Sequence, residues 1–353
     1  MSRARVLIMA GGTGGHIFPG LSVARELRAE GVEVRWLGTP NGLENRLVPA
    51  AGIELDTIDI AGLRGRGLLG WLVAPFRVLK AMVQARRILR RHRPDCVLSM
   101  GGYVAGPGGV MARLMGIPLV LHEQNAIAGL TNRWLRPLAA RVMSGFPAVL
   151  KGAEHCGNPV RDDIAALPDP EARFADRSGP LQLLVIGGSQ GALAFAEVIP
   201  QALARLPAEA RPRIVHQAGR QYQRTLEAYR AAGVEGEVVE FIDDMAEAWG
   251  RADLAICRAG ALTVAELAAA GVAALLVPFP AAVDDHQTAN AEYLTAAHAA
   301  WLLPQREFTP ERLAERLASL SRKQLAAMAG RARALARPRA GRAVADVCLE
   351  VAR

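Results

Sequence analysis

The 353-residue chain has no uninterrupted apolar run of the roughly 20 residues that a membrane-spanning helix needs. Its longest uncharged stretches, near 96–112 and 267–283, are broken by glycine or proline and read as strand, loop and helix. Gly67–Phe76 is the most apolar short segment, and it is too short to span. Aromatic residues make up only 5%, which disfavours an aromatic-rich β-sandwich. The four cysteines, Cys96, Cys156, Cys257 and Cys348, are scattered without C-x-x-C spacing. They suit neither a disulfide framework nor a zinc site, and read as buried thiols in a reducing compartment. There is no G-x-x-x-x-G-K-[ST], so P-loop chemistry is disfavoured. There is also no Asp-x-Asp pair; Asp243-Asp244 and Asp284-Asp285 are adjacent pairs whose side chains need not converge, so no metal is expected. With 51% hydrophobic and 22% charged residues, the chain has ordinary globular composition, which excludes general disorder.

One further absence is local. Between Ile60 and Pro94 there is no Asp or Glu, while nine basic residues occur: Arg64, Arg66, Arg77, Lys80, Arg86, Arg87, Arg90, Arg91 and Arg93. The whole chain carries +8, so everything outside this segment sums to −1. The same segment holds Trp71, Leu72, Phe76, Leu79 and Val83. A basic amphipathic helix with large apolar residues reads as an element resting on an anionic membrane surface. The competing reading is a core helix with a solvated basic face. Nucleic acid is not an expected partner, because no aromatics interleave the charges and no binding motif is present.

Elsewhere an apolar strand, a glycine-rich turn and a helix alternate repeatedly, which predicts parallel sheets covered by helices. Strands are predicted at 6–10, 32–38, 53–60, 96–100, 119–123 and 141–146. In the second half they are predicted at 181–186, 213–217, 238–242, 254–257, 274–278 and 301–303. The basic N-terminus followed by Val6–Ala10 has the outline of a signal peptide. Its apolar part is short and runs into glycines, so it reads as a first strand and its loop. The fold class is α/β with two Rossmann-like doubly wound domains. A seam rich in proline and charge lies at 157–179. It separates a domain over 1–158 from one over 159–338, and a closing helix at 339–353 is free to pack back on the first.

Three glycine loops follow predicted strands: Gly11-Gly-Thr-Gly-Gly-His16, Gly101-Gly-Tyr-Val-Ala-Gly106 and Gly187-Gly-Ser-Gln-Gly191. Glycine lets backbone amides approach an anion, and a following helix N-terminus favours negative charge. Three such loops in two domains point to a ligand in an interdomain cleft. Dinucleotide binding is disfavoured. The third glycine position of the first loop is Ile17, and Trp36-Leu-Gly-Thr39 lacks the acidic ribose ligand.

His16 begins a helix, where the imidazolium form is disfavoured, so it reads as a neutral general base or as a cap. His122-Glu-Gln-Asn125 ends a strand and reads as site lining. Arg161, at the seam, suits a phosphate or a hinge contact. From Arg258 to Glu266 a strand end passes into a helix whose first amides suit phosphate oxygens. Glu266 suits two ribose hydroxyls or a solvated helix surface. The polar cluster from Asp284 to Asn290 suits sugar hydroxyls.

Taken together and in order, Gly11–Gly20, Gly101–Gly108, His122–Asn125, Gly187–Gly191 and Arg258–Glu266 closely resemble the MurG family, the peripheral-membrane N-acetylglucosaminyltransferases of bacterial peptidoglycan synthesis. The resemblance runs through nearly the whole chain. It implies a GT-B fold with the active site between two domains. The implied activity is that of a metal-independent hexosyltransferase without cofactor. It would carry GlcNAc from UDP-GlcNAc to the C4 hydroxyl of MurNAc in lipid I, with inversion, giving lipid II. The donor site implied here comprises Thr13, Gly14, Gly15, Asn125, Arg161, Ser189, Ile242, Ala261, Leu262, Thr263, Val264, Ala265, Glu266 and Gln287. Glu266 would hold the ribose, the Ile242 backbone the uracil, and Gln287 the GlcNAc hydroxyls.

Gly102 and Tyr103 would face the acceptor diphosphate. His16 is the first choice of base, with His122 and Glu123 as rivals. Trp71, Leu72, Phe76, Arg77 and Lys80 would rest on the cytoplasmic face of the inner membrane. Proteins of the cell-wall and division machinery are the expected partners. After Gly191 the chain departs from the family pattern, with Ala192-Leu-Ala-Phe195 where Ala-Arg and a nearby Leu-Asn are usual. Two other readings share parts of this pattern. One is a GT-B enzyme acting on diacylglycerol; the other is a non-catalytic nucleotide-sugar-binding protein.

Overall fold

The computed structural model describes residues 4–60 and 68–352, and only the backbone of residues 68–73 and of Val283. Arg64 and Arg66, and the side chains of Trp71 and Leu72, lie outside the described part. The chain divides into two compact units, Met1–Val160 with Pro338–Arg353, and Arg161–Arg337.

In the first unit seven strands form one parallel sheet. They are β1 (Arg5–Met9), β2 (Glu33–Gly38), β3 (Glu54–Thr57), β4 (Cys96–Ser99), β5 (Leu119–Glu123), β6 (Arg141–Ser144) and β7 (Glu154–His155), in the order β3-β2-β1-β4-β5-β6-β7. Strand β1 shows why the sheet is covered on both faces. Val6 and Ile8 enter one core, Leu7 and Met9 the other. Period-two alternation inside an all-apolar run is what a strand buried on both sides requires. The two-residue β7 is absent from the sequence-based prediction, being too short for alternation to register.

The helix Ala340–Val351 packs on the helix Gly14–Ala29. Its Val344, Ala345 and Cys348 share a core with Val23, Ala24 and Leu27. Arg342 reaches Glu30 at 2.5 Å.

In the second unit six parallel strands take the same winding. They are β8 (Gln182–Ile186), β9 (Arg213–Gln217), β10 (Glu237–Val239), β11 (Leu254–Cys257), β12 (Ala273–Leu276) and β13 (Ala300–Leu302), in the order β10-β9-β8-β11-β12-β13. Strand β10 is shorter than the predicted 238–242. The carbonyl of Glu240 accepts from the Gln217 side chain (2.8 Å) and the Gly219 N–H (3.1 Å), so a loop takes over from the ladder. Ile242 therefore lies in that loop.

Each sheet reverses its winding once, between β1 and β4 and between β8 and β11. At such switch points the loops after adjacent strands diverge to opposite faces and leave room for a ligand beyond the strands' carboxyl ends. The loops after β1 and β4 are the first two glycine loops. Those after β8 and β11 are the third glycine loop and Arg258–Gly260.

Candidate functional site

At the first switch point, backbone meets backbone. Gly102 has φ +83°, and a Cβ there would stand 2.9 Å from the Gly11 carbonyl oxygen. Gly101 has φ +92°, and a Cβ there would stand 3.3 Å from His16 Nε2. Only glycine permits both the left-handed backbone and the close approach. The His16 ring thus lies against the second glycine loop. Its Nδ1 is 3.4 Å from Thr13 Oγ1. Thr13 is the N-cap of the helix Gly14–Ala29, so His16 sits in the first turn, half-buried, beside exposed Gly15. Tyr103 is 53% exposed at the rim.

Beneath the first loop lies a residue that sequence reading missed. Glu44 is completely buried, and its carboxylate accepts from Gly12 N (3.1 Å), Thr39 N (2.9 Å) and Thr39 Oγ1 (2.7 Å). Its charge is dispersed over three donors, which is what burial demands. The lack of a side chain at Gly11 and Gly38 makes room for it.

His122 and Glu123, the rivals to His16, are buried and engaged. His122 Nε2 is 2.9 Å from the Gly157 carbonyl and so carries the proton; Nδ1 then accepts from Gln124 Nε2 at 3.0 Å. Burial also pushes the His122 pKa down, keeping the ring neutral. Glu123 Oε1 accepts from Asn125 N (3.0 Å), and Oε2 from Gly129 N (3.0 Å) and Asn132 Nδ2 (2.9 Å). Asn132, also missed from sequence, passes the network on. Its Oδ1 accepts from Ser99 Oγ (3.4 Å), and that hydroxyl accepts from Gly101 N (3.2 Å). One buried network therefore positions both Asn125 and the second glycine loop.

At the second switch point, Gln217 clamps the third glycine loop. Its Oε1 accepts from Gly188 N (3.0 Å) and its Nε2 donates to Gly188 O (3.2 Å). Ser189 and Gln190 stay exposed ahead of the helix Leu193–Ala204. After β11, the helix Ala261–Ala270 has Gly260 as its N-cap, which offers no side chain. The first helical bond is Val264 N to Gly260 O (2.9 Å). The N–H groups of Ala261, Leu262 and Thr263 precede it and point along the positive end of the helix. Val264 itself is buried, its amide spent within the helix; Ala265 is half-buried one position on.

Glu266 is half-buried on the same helix. Burial pushes its pKa up to about 7. The Trp249 indole N–H and the Arg161 charge act in the opposite direction, and Asp163 adds to the rise. Arg161 is itself paired with Asp163 at 2.8 Å. Arg258 is committed to structure: it donates to Val277 O (3.0 Å) and Gln305 Oε1 (2.7 Å) and stacks over Phe195. Gln287 Oε1 accepts from Phe279 N at 2.9 Å. Three and two residues before it, Asp284 and Asp285 both take left-handed backbone, φ +52° and +51°. Such strain in non-glycine residues persists only where surrounding contacts enforce it. Here Thr288 Oγ1 donates to Asp285 Oδ1 (2.7 Å), and Asn290 ties the helix His286–Thr295 to Ala259 O (3.1 Å).

The basic helix Leu68–His92 is turned in an instructive way. Ala74, Ala81, Ala85 and Leu89 form its buried stripe. The opposite face carries Phe76 (74% exposed), Leu79 (60%) and Val83, flanked by exposed Arg77, Lys80, Arg87 and Arg90. A core helix would place the large apolar residues inward. Lys80 is paired with Asp59 at 2.7 Å. Among the described residues no helix is long and apolar enough to cross a membrane, and no three His, Cys, Asp or Glu side chains form a metal-holding group.

Two doubly wound parallel domains, each with glycine-rich or helix-starting loops at its switch point, make up the GT-B fold. The chain belongs to glycosyltransferase family 28: the model of the family's N-terminal domain matches residues 6–144, and that of its C-terminal domain residues 182–344. It is 58% identical over 354 aligned residues to a protein of Bordetella petrii, and 59% over 354 to one of Bordetella pertussis, covering 100% of this chain and 99% of each relative. Both are named UDP-N-acetylglucosamine–N-acetylmuramyl-(pentapeptide) pyrophosphoryl-undecaprenol N-acetylglucosamine transferase. The crystal structure of Acinetobacter baumannii MurG superimposes with a TM-score of 0.86 at 44% identity, over 98% of this chain and 99% of that one.

Proposed function

We propose that this chain transfers GlcNAc from UDP-GlcNAc to the C4 hydroxyl of the MurNAc of undecaprenyl-pyrophosphoryl-MurNAc-pentapeptide, lipid I, giving lipid II for peptidoglycan synthesis. One observation carries the reading. The chain is 58–59% identical, end to end, to proteins named for that transfer. A diacylglycerol glycosyltransferase or a non-catalytic sugar-nucleotide binder has no comparable support.

In this reading the acceptor hydroxyl attacks the anomeric carbon opposite the departing UDP, inverting it. The C4–OH proton passes to His16, and the C1–O bond to the β-phosphate breaks. Charge growing on that phosphate is met by the loop of Ser189 and by the amides of Ala261, Leu262 and Thr263, fixed dipoles that need no reorganisation. Thr13, Gly14, Gly15, Asn125 and Arg161 line the donor, Ile242 meets the uracil through its backbone, and Gln287 meets the GlcNAc hydroxyls. Glu266 holds the ribose diol. Gly102 and Tyr103 face the acceptor diphosphate. His122 and Glu123 act as positioning residues, since their hydrogen-bonding atoms are already engaged. The first unit carries the acceptor and membrane functions, and the second carries most of the donor contacts. The exposed Phe76–Leu79–Val83 face rests on the anionic cytoplasmic surface of the inner membrane, where partners of the cell-wall and division machinery would also meet it.

The test is a radiolabel transfer assay with a lipid I analogue and UDP-GlcNAc, EDTA present, beside UDP-GalNAc and diacylglycerol controls. Labelled lipid II from UDP-GlcNAc alone supports the reading; label on diacylglycerol alone sinks it. His16→Ala should lower kcat by about 10²–10⁴ with donor affinity little changed, as loss of a general base does. Near-normal turnover removes His16 from that role.

A further inference from the structure

A ribose ligand on a flexible side chain must be ordered before it binds tightly, because freezing the rotamers of a glutamate side chain costs conformational entropy. The fold orders Glu266 from one side. Trp249 is completely buried, and its indole nitrogen can only donate. It donates to Glu266 Oε2 at 3.3 Å, leaving Oε1 outside that bond.

The two helices concerned are also stapled together. Arg173 donates to the Trp249 carbonyl (3.4 Å) and the Gly250 carbonyl (3.3 Å), at the end of the helix Met245–Arg251. The same guanidinium donates to Ala270 O (2.5 Å) and Gly271 O (2.6 Å), at the end of the helix Ala261–Ala270. One rigid fork thus fixes the distance between the helix that carries Trp249 and the helix that carries Glu266. Arg177 adds a further bond to the Gly250 carbonyl.

The charges around the carboxylate are few. Arg161 favours its ionised form, and Asp163 opposes it from the short helix Asp162–Ala165. The Cys257 thiol, at the end of β11, is pushed up to about 12 by burial and by Glu266 itself, so it stays neutral. From the helix Arg322–Ala334, Arg333 turns away to the Ala269 carbonyl and to Asp169.

We infer that Trp249 is a positioning residue for donor binding: its N–H holds the Glu266 carboxylate in the orientation that accepts the ribose hydroxyls, an inference that rests on the ribose role of Glu266 above. Its loss weakens the carboxylate's hold and favours the protonated form, which has fewer acceptor sites for a diol.

The experiment measures kcat and the UDP-GlcNAc KM from pH 5.5 to 9 in the full-length protein. It uses wild type, Trp249→Phe, Glu266→Gln, and a chain with benzothienylalanine at position 249. That last residue keeps the indole shape without the N–H, so the test survives if Trp249→Phe folds poorly. The expected result is a KM profile whose midpoint rises by about one pH unit in both Trp249 variants, with KM at pH 7 up about three- to tenfold and kcat within about twofold. If Glu266→Gln raises KM but neither Trp249 variant shifts the profile, Trp249 has no such role and the ribose reading stands. An unchanged KM in Glu266→Gln removes the ribose reading and this inference with it. A lowered Tm with an unmoved midpoint also overturns the inference, because it leaves Trp249 a packing role alone.

Discussion

The carboxylate of Glu44 accepts the backbone N–H of Gly12 at 3.1 Å from a fully buried position. An anion is thus placed directly under a loop that reads as an anion cradle. It takes the Gly12 amide with one oxygen and the Thr39 amide and hydroxyl with the other. Its effect is to fix the plane of the peptide that leads into Thr13 and His16.

Glu44→Gln turns one acceptor into a donor facing a donor. A buried unsatisfied group costs about 1–3 kcal/mol, so the variant should lose roughly that much stability in urea unfolding. It should also lose transfer rate, because His16 follows the loop. A variant as stable and as active as wild type would show that the bond is incidental.

Gly102 and Gly116 make a controlled pair. Both have left-handed backbone, φ +83° and +74°, but a Cβ at Gly116 meets nothing within 4 Å while one at Gly102 meets the Gly11 carbonyl at 2.9 Å. Gly116→Ala should cost about 1 kcal/mol from backbone strain alone. Gly102→Ala should cost more, and should also lower activity, because the two loops must separate. Thermal melts and transfer rates compare them directly; equal effects would mean that the close approach of the loops is unimportant.

Glu266 makes stability depend on pH with a definite sign. Its folded pKa, about 7, lies above the ordinary 4.5. The folded state then holds a proton that the unfolded state has released, so this residue's contribution is intact below pH 4.5 and is lost as pH rises through 7. Glu266→Gln should therefore raise Tm above pH 7.5 by the equivalent of about 2–3 kcal/mol and change it little near pH 4.5. A stabilisation independent of pH would refute the titration.

The outward face of the helix Leu68–His92 predicts a separable membrane defect. Phe76→Ser together with Leu79→Ser removes two large exposed apolar groups. Each is worth about 1.5–3 kcal/mol when fully buried in an apolar phase. Binding to vesicles containing anionic lipid should fall at least about tenfold, with transfer to a short-chain, water-soluble acceptor retained. Unchanged vesicle binding in sedimentation would show that this face does not touch lipid.

Much of the fold follows from local pattern. Ten of the thirteen strands fall, give or take a residue or two at their ends, where apolar runs between glycine turns predict them. The exceptions are instructive. Strand β3 ends at Thr57, three residues short of the predicted 60, β7 is two residues long, and β10 stops early because the Gln217 side chain takes the Glu240 carbonyl. The glycine loops were also legible, since left-handed backbone after a strand has few sequence solutions.

What remained hidden were the residues that act through partners distant in sequence: Glu44 on Gly12, Asn132 on Glu123, Gln217 on Gly188 and Trp249 on Glu266. The sequence alone determined two doubly wound halves, the loops at their strand ends and a basic apolar segment, because each depends on neighbours within a few residues. Only the tertiary structure decided which buried polar groups brace those loops and which way the basic helix faces. A side chain's partner is set by strand order and helix packing, and no local period records that.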